Sequence, residues 1–440
     1  MKFYDRENEL NILKSAGEFS LTSSKMTIIT GRRRIGKTRL ISEFCSGADF
    51  IYLFVARKNE PLLCKEFIEE IMAKTGIPVF GEINTFKNIF GLLLEYAQNH
   101  PLTLVIDEFQ EFIHINPAVF SEMQNLWDQY KNKSRMNLII SGSVYSLMKK
   151  IFENAKEPLF GRADERIILK PFSVIVLRNI LADNYPRYSN RDLLAFFILT
   201  GGVAKYVELL SEKKAFTLNK ILDQIFRENS LFIDEGKNVL IEEFGKEYST
   251  YFSILSLVAS SKTSRTEVES ILQKNIGGYL DRLENEYTII RKVKPVFSKP
   301  GSRSQKYEIE DNFLNFWFRF IYKYRSAIEI GNYSYVKSIV HRDFSTYSGK
   351  FLEKYFCQKL ALTKQFSLIG SYWDRNAENE IDIIAINEMN RRVLVAEVKL
   401  DKNKINMSKL KEKASNLPFL KKGYKTDFIG LSVEDMQMVL

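Results

Sequence analysis

The stretch TIITGRRRIGKTRL, residues 27–40, decides the fold of the first half of the chain. It begins with an apolar run that is typical of a buried β-strand, and it continues through a basic loop bounded by Gly31 and Gly36. The residues after the loop favour a helix. The order therefore predicts a strand, a tight loop and a helix in immediate succession.

The loop matches the pattern GxxxxGK[ST], which binds the phosphates of nucleotides. Its glycines let backbone N–H groups turn toward an anion, Lys37 reaches the phosphates, and Thr38 offers a hydroxyl to Mg²⁺. A glycine turn without a ligand is the alternative. The three arginines either pair with acids of the protein or reach a second anion. The candidate nucleotide-binding residues are Gly31, Arg32, Arg33, Arg34, Ile35, Gly36, Lys37, Thr38 and Arg39.

The composition of the 440-residue chain is that of a globular protein of several domains, with 45% hydrophobic and 27% charged residues. A net charge of +10 indicates an anionic partner, either nucleotide phosphate or a nucleic acid, although solubility alone is the alternative. The three widely spaced cysteines predict neither a disulfide framework nor a zinc site. Because no signal peptide or long apolar run occurs, we expect a cytoplasmic protein without a membrane segment.

A second apolar run, LTLVIDE, ends in the acidic pair Asp107 and Glu108. Ligands gather at the carboxyl ends of strands in parallel sheets. We therefore expect Asp107 to belong to the Mg²⁺ shell and Glu108 to polarise the attacking water. Two solvated loop acids would be the alternative.

A third strand is predicted over residues 136–140, and Ser141 follows it. Ser141 is a candidate sensor of the γ-phosphate, whereas residues 141–143 could instead cap the helix that follows. Arg162, in the segment LFGRADERI, is a candidate for stabilising charge during phosphoryl transfer. A surface arginine is the alternative for Arg162.

The ordered segments GRRRIGKT, LVIDEFQ, ISGS, LFGRADERI and TGGVAKY together resemble the archaeal-type ATPase family, a branch of the AAA+ and STAND-like P-loop ATPases. The resemblance covers about the first half of the chain. It implies an α/β fold with a parallel sheet, binding of ATP or ADP with Mg²⁺, and ATP hydrolysis. We expect the ATPase core at residues 1–175 and a helical lid at residues 176–235. A homo-oligomer is a candidate for the assembled form.

Residues 236–325 predict three helices followed by a basic two-stranded hairpin, which is the order of a winged-helix module. In such a module Lys299 and Arg303 of the hairpin could meet DNA phosphates. The third helix, however, carries more acidic than basic residues, so packing against protein is the alternative. The aromatic segment at residues 312–325 is typical of a core helix.

Two strands near the end of the chain, EIDIIAI and VLVAEVKL, carry a second acidic group. If the strands pair as a hairpin, Asp382, Glu397 and Lys399 converge on one face. Two carboxylates and a lysine can hold one or two Mg²⁺ ions and activate a water against a phosphodiester. A solvated acidic face is the alternative.

This pattern resembles the PD-(D/E)xK nuclease core, and Glu353 matches the acid that the family often carries on its preceding helix. The region at residues 326–440 resembles the DUF234 domain that accompanies archaeal-type ATPases. The resemblance implies Asp382 and Glu397 as metal ligands, Glu353 and Lys399 as further catalytic residues, and DNA as a partner. The predicted function is thus an ATPase coupled to a DNA-binding or nuclease domain. A regulatory nucleotide switch with a binding-only C-terminal domain is the alternative.

Overall fold

The protein is described by a computed structural model that covers residues 2–79, 81–299, 301–302, 304–374, 379–415, 417 and 423–438. The chain forms two compact units, Tyr4–Pro171 and a second unit made of Met1–Phe3 with Phe172–Leu440. Across the described residues, none of the helices combines the length and the apolar character that crossing a bilayer requires.

The first unit is built on a five-stranded parallel sheet with the strand order β2-β3-β4-β1-β5. Its strands are β1 (Lys25–Thr30), β2 (Ile51–Phe54), β3 (Leu102–Asp107), β4 (Met136–Gly142) and β5 (Glu165–Ile168). The carboxyl ends of all five strands therefore meet at one edge. One strand, β4, separates the strand of the glycine loop, β1, from the strand of the acidic pair, β3.

Every residue of β4 is buried, so both faces of the sheet are covered. The apolar runs predicted from the sequence supply this core, together with large aromatic side chains such as Phe90, Phe109 and Trp127. The helices of the unit are α1 (Glu7–Ser20), α2 (Lys37–Phe44), α3 (Glu60–Thr75), α4 (Phe86–Asn99), α5 (Phe112–Ile115), α6 (Ala118–Tyr130) and α7 (Tyr145–Glu153).

The second unit begins with a bundle of helices centred on α9, in which all eight residues from Leu193 to Thr200 are buried. A capping box formed by Ser189 and Asp192 fixes the start of that helix. The helices of the bundle are α8 (Val174–Asn184), α9 (Asn190–Thr200), α10 (Ala204–Glu212), α11 (Leu218–Ile225) and α12 (Leu231–Phe244).

Three helices and a two-stranded antiparallel sheet follow in the order predicted from the sequence. They are α13 (Tyr248–Ala259), α14 (Arg265–Leu272), α15 (Gly277–Asp281) with a π-helical continuation, β6 (Ile290–Val293) and β7 (Lys306–Ile309). Lys299, between the strands, is exposed, and Arg303 lies outside the described residues. Val296, from the same connection, packs into the core of the C-terminal sheet, which favours the protein-packing alternative for this hairpin.

The aromatic segment forms a core, as predicted, because Phe313, Phe316, Trp317, Phe318 and Phe320 are completely buried. It comprises α16 (Asn312–Phe316) and a π-helical turn, and it leads into α17 (Arg325–Glu329) and the long helix α18 (Tyr333–Leu362).

The C-terminal part is a four-stranded mixed sheet with the order β11-β10-β9-β8. Strands β9 and β10 pair as an antiparallel hairpin, whereas β10 and β11 run parallel. The elements are β8 (Leu368–Trp373), β9 (Glu380–Asn387), β10 (Arg392–Val398), α19 (Met407–Ala414) and β11 (Lys425–Leu431). The predicted α/β class, with a parallel sheet first and a small α/β region last, is confirmed.

Candidate functional sites

The glycine loop connects β1 directly to α2, and its two glycines are required by the backbone. A Cβ atom at Gly31 would lie 2.9 Å from the carbonyl oxygen of Leu169, which is too close for any other residue. Gly36 adopts a left-handed conformation with φ of 100° immediately before Lys37 begins the helix. The loop thus ends at a helix N-terminus, where backbone N–H groups and the helix dipole attract anions.

The Lys37 side chain folds back over this loop. Its Nζ atom donates hydrogen bonds to the carbonyl oxygens of Gly31 at 2.9 Å and Arg32 at 3.3 Å. Burial lowers the pKa of Lys37 to about 8, although the nearby Glu108 and Asp107 carboxylates oppose this effect. A buried ammonium held by carbonyl oxygens can exchange them for the oxygens of a phosphate.

Asp107, at the end of β3, joins three elements of the unit. Its Oδ2 atom accepts a hydrogen bond from the Tyr52 hydroxyl at 2.5 Å and another from the Thr38 hydroxyl at 3.5 Å. Tyr52 comes from the neighbouring strand β2 and was missed by the sequence reasoning. Hydroxyl and carboxylate oxygens are ligands that Mg²⁺ prefers, so Thr38 and Asp107 fit this ion.

Glu108 leaves the strand in a left-handed conformation, with φ of 54°. Non-glycine residues rarely adopt this conformation, and functional sites are enriched in it. The Glu108 Oε2 atom accepts hydrogen bonds from Gln110 Nε2 at 2.6 Å and from the Ser143 hydroxyl at 2.7 Å. Neither Gln110 nor Ser143 was predicted, although both lie within two residues of predicted positions.

Ser141 is part of β4 and is completely buried next to Ile29 of β1. Within the described part of the chain its Oγ atom has no hydrogen-bond partner. The alternative that residues 141–143 cap the next helix is wrong, because the residue before α7 is Val144 and it makes no side-chain cap. The polar residue that contacts Glu108 from this strand end is Ser143.

The remaining predicted residues of the first unit occupy varied environments. Ile35 is buried against Gly31, whereas Arg33 and Arg39 are exposed. Burial is the main cause of the lowered pKa of Lys37, and charge repulsion from Arg33 lowers it further, whereas the Glu108 and Asp107 carboxylates raise it. Arg34, like Glu108, has a positive φ, of 68°.

Arg162 is engaged within its own unit rather than extended. Its guanidinium donates to Asp128 Oδ2 at 3.0 Å and to the carbonyl oxygen of Phe160 at 2.9 Å. Any contact with a phosphate would require this ion pair with Asp128 to open.

The second acidic group lies on the β9–β10 hairpin. Lys399 Nζ lies 3.1 Å from Asp382 Oδ2 and 3.5 Å from Glu397 Oε1, so its ammonium bridges the two carboxylates. The backbone N–H of Val398 donates to Asp382 Oδ2 at 2.7 Å, and that of Asn406 donates to Glu397 Oε2 at 3.2 Å. The hairpin thus brings the three predicted side chains together.

Glu353, on α18, belongs to the same electrostatic group, which we call the acidic cluster: Glu353, Asp382, Glu397 and Lys399. Burial, and then the Asp382 carboxylate, raise the pKa of Glu353 to about 8, against the opposing charge of Lys399. Burial would lower the pKa of Lys399, but the Asp382 and Glu397 carboxylates raise it. Three acids therefore share one lysine, and the carboxylate oxygens suit Mg²⁺ in type. The described residues contain no group of three or more His, Cys, Asp or Glu side chains arranged to hold a metal ion.

Comparison with known proteins identifies both regions. Residues 3–210 match the family described as an ATPase domain predominantly from Archaea. Residues 317–413 match DUF234, described as archaeal and bacterial proteins of unknown function. The chain therefore combines an N-terminal archaeal-type ATPase domain with a C-terminal DUF234 domain.

The chain is also similar to whole proteins. An uncharacterized protein of Methanocaldococcus jannaschii, MJECL04, is 28% identical over 407 residues, which is 90% of this chain and 87% of that protein. The Walker-type ATPase PABY2304 of Pyrococcus abyssi superposes with a TM-score of 0.55 at 16% identity, over 72% of this chain and 96% of that one. The ORC2 protein of Aeropyrum pernix gives a TM-score of 0.47 at 15% identity, over 75% and 95% of the two chains. The likeness to the Pyrococcus protein shows the P-loop ATPase fold.

Proposed function

We propose that the unit of residues 4–171 binds ATP with Mg²⁺ and hydrolyses it to ADP and phosphate. One observation carries the proposal: the Thr38 hydroxyl and the Asp107 carboxylate meet at 3.5 Å beside the loop over which Lys37 is folded. An ammonium, a hydroxyl and a carboxylate at the start of a helix are the groups needed to bind a phosphate chain and its metal ion.

Each residue has a distinct role in this proposal. Lys37 would leave the loop carbonyls for phosphate oxygens, and Thr38 and Asp107 would hold Mg²⁺, which would supply positive charge against the phosphates. Glu108 orients the attacking water through a carboxylate oxygen, and Ser143 and Gln110 fix the direction of that carboxylate. Positioning and charge stabilisation of this kind account for most of the rate enhancement in phosphoryl transfer.

Two variants test the ATPase proposal. Lys37→Ala removes a charged contact to phosphate and should weaken ATP binding about 10- to 100-fold. Glu108→Gln should leave ATP affinity intact and lower turnover about 100-fold, the usual contribution of a positioned base. Lys58→Ala, which removes a lysine paired with the exposed Glu66 side chain, is the control. Unchanged ATP affinity and turnover in Lys37→Ala would refute the proposal.

For the acidic cluster we propose metal-dependent hydrolysis of a phosphodiester bond in DNA. Asp382 and Glu397 would hold the divalent cation, which supplies Lewis-acid activation of a water. Lys399 would stabilise charge on the phosphate, and Glu353 would complete the polar surroundings. Water adds to phosphorus while the P–O bond to one sugar breaks, which leaves a phosphomonoester and a hydroxyl end. The support is the convergence of Asp382, Glu397 and Lys399 within 3.5 Å contacts.

The alternative is a nucleotide switch whose C-terminal domain only binds. The bridging position of Lys399 favours it, because the ammonium already compensates both carboxylates without a cation. A paired assay of ATP turnover and of DNA cleavage in Mg²⁺ or Mn²⁺, on the wild type, Lys37→Ala and Asp382→Ala, separates the two. Cleavage that is lost in Asp382→Ala supports the nuclease. ATP turnover without cleavage, combined with protease sensitivity that differs between ATP and ADP, supports the switch.

A further inference from the structure

A cavity of about 900 Å³ opens beside the acidic cluster, within the second unit. Glu353 and Lys399 line one side of it, so the cavity and the cluster are continuous. Helices α9 and α11 contribute Arg191 and Leu218 to its lining, and α18 contributes its middle turns. Anything that reaches the cluster from this side must pass through the cavity.

Three basic side chains that line the cavity are not neutralised by a paired carboxylate within the described residues. Within the described residues, neither Arg191, Lys350 nor Lys404 forms an ion pair, and all three line the cavity. The Lys350 ammonium donates one hydrogen bond, to Asn315 Oδ1 at 3.2 Å, and otherwise lies over the rings of Tyr347 and Phe351.

Among the described residues, two of the three acids that line the cavity, Asp192 and Asp401, accept hydrogen bonds from neighbouring residues of their own segments. Asp192 accepts from the backbone N–H and hydroxyl of Ser189 in the capping box of α9, and Asp401 accepts from the N–H of Asn403. An anion that enters the cavity would therefore find cations that no carboxylate holds.

A glycine at the middle of α18 also lines the cavity. Glycine destabilises a helix interior relative to alanine, so its presence there needs a reason. The fold supplies none, because a Cβ atom at Gly349 would have nothing within 4 Å. A backbone left bare toward a cavity is a surface that a ligand can approach closely.

The size of the cavity restricts what can enter. A sphere of that volume is about 12 Å across, whereas the major groove of B-form DNA alone is about 12 Å wide. Because a duplex is wider than its major groove, a whole duplex does not enter a space of this size. A single strand, whose phosphates need cations and whose backbone is narrow, fits.

We propose that the cavity binds the end of a single-stranded nucleic acid. Its phosphates lie against Lys350, Arg191 and Lys404, and its chain passes over Gly349 toward the acidic cluster. The role of this binding, which is to deliver a strand for cleavage, rests on the proposed phosphodiester hydrolysis at the acidic cluster. The binding itself needs neither a metal ion nor cleavage.

Binding of a fluorescein-labelled oligothymidylate to the full chain, measured by anisotropy in EDTA, tests the proposal. Lys350→Met and Gly349→Met should each weaken binding about tenfold or more, because the first removes a cation and the second fills the path of the strand. Lys337→Met and Ser338→Met are the matched controls, since both residues lie on α18 outside the cavity and Lys337 pairs with Asp223. They should bind as the wild type does.

The outcomes separate this inference from the proposed nuclease. Equal binding of a duplex of the same length, or wild-type affinity in both cavity variants, would overturn the cavity proposal. Single-strand binding that is lost in the variants, without cleavage of any substrate in Mg²⁺ or Mn²⁺, supports the cavity and refutes the nuclease. A ribo-oligonucleotide arm then decides between RNA and DNA as the strand.

Discussion

The Ser143 hydroxyl donates a hydrogen bond to Glu108 Oε2 at 2.7 Å, from the end of one strand to the end of the next. Gln110 Nε2 donates to the same oxygen at 2.6 Å. The carboxylate that we propose to orient water is therefore held by two side chains, on a residue whose backbone is already constrained at φ of 54°. Such double restraint fixes a reacting group before the nucleotide arrives.

Ser143→Ala should lower ATP turnover about tenfold and leave ATP affinity unchanged, because a loosened Glu108 carboxylate misplaces the water without touching the phosphates. Ser143→Thr, which retains a hydroxyl, should restore most of the rate. Steady-state turnover and nucleotide titration measure the two effects. An increase in turnover would mean that Ser143 restrains Glu108 rather than positions it.

Tyr52→Phe removes the hydrogen bond to Asp107 Oδ2 and leaves the ring in place. A hydrogen bond to a charged group contributes about 1.5–3 kcal/mol, so the free energy of unfolding should fall by about 1.5 kcal/mol. ATP affinity should fall in the presence of Mg²⁺ and stay unchanged in EDTA, since Asp107 serves the metal ion. Loss of affinity in both conditions would place Tyr52 at the nucleotide instead.

The sequence predicted the first unit well because its signals are local. Apolar runs that end in Asp107 or Ser141, and the glycine pair of the loop, specify strands and a turn within a few residues. The contacts of Tyr52 and Ser143 could not be predicted, because they depend on which strands become neighbours. Strand alternation alone predicts that Ser141 and Ser143 point to the same face. Strand β4 ends at Gly142, however, and the turn of the chain after it brings Ser143 to Glu108.

In the second unit the hairpin alternation predicted the convergence of Asp382, Glu397 and Lys399. The cavity beside them was beyond sequence reasoning, since Arg191, Lys350 and Lys404 come from three distant segments. Nor did the hairpin pattern of β6 and β7 indicate that Val296 would complete the core of the C-terminal sheet. Long-range packing decided both features.

Lys350→Met should stabilise the protein slightly at neutral pH, because the Lys350 side chain is exposed and water screens most of the cost of its charge. Burial lowers the pKa of Lys350 from 10.5 to about 8; Glu308 opposes the shift, and Arg319 and Lys354 add to it. Between these two values the unfolded chain binds more protons than the folded one, so wild-type stability rises with pH there. Below pH 8 the whole cost of keeping Lys350 charged in the folded state remains. The gain of the variant in melting temperature should therefore be largest at neutral pH and shrink toward about pH 10. A variant less stable than the wild type at neutral pH would show that the ammonium stabilises the fold.

Gly349→Ala tests whether the glycine at the middle of α18, which lowers the stability of the helix, is needed for ligand binding. Alanine favours a helix interior over glycine by about 1 kcal/mol, and the open space at Gly349 means that its methyl group meets nothing, so the melting temperature should rise by about 2 °C. The matched control is Gly91→Ala in α4, where the new Cβ would only touch Leu126 Cδ1 at 4.0 Å and which should gain similar stability. If the cavity binds a strand, the first variant should gain stability and lose affinity for the oligonucleotide, whereas the control should gain stability alone. Loss of stability in Gly349→Ala would instead assign the glycine to a structural constraint, because only a backbone that needs glycine is harmed by a methyl group in open space.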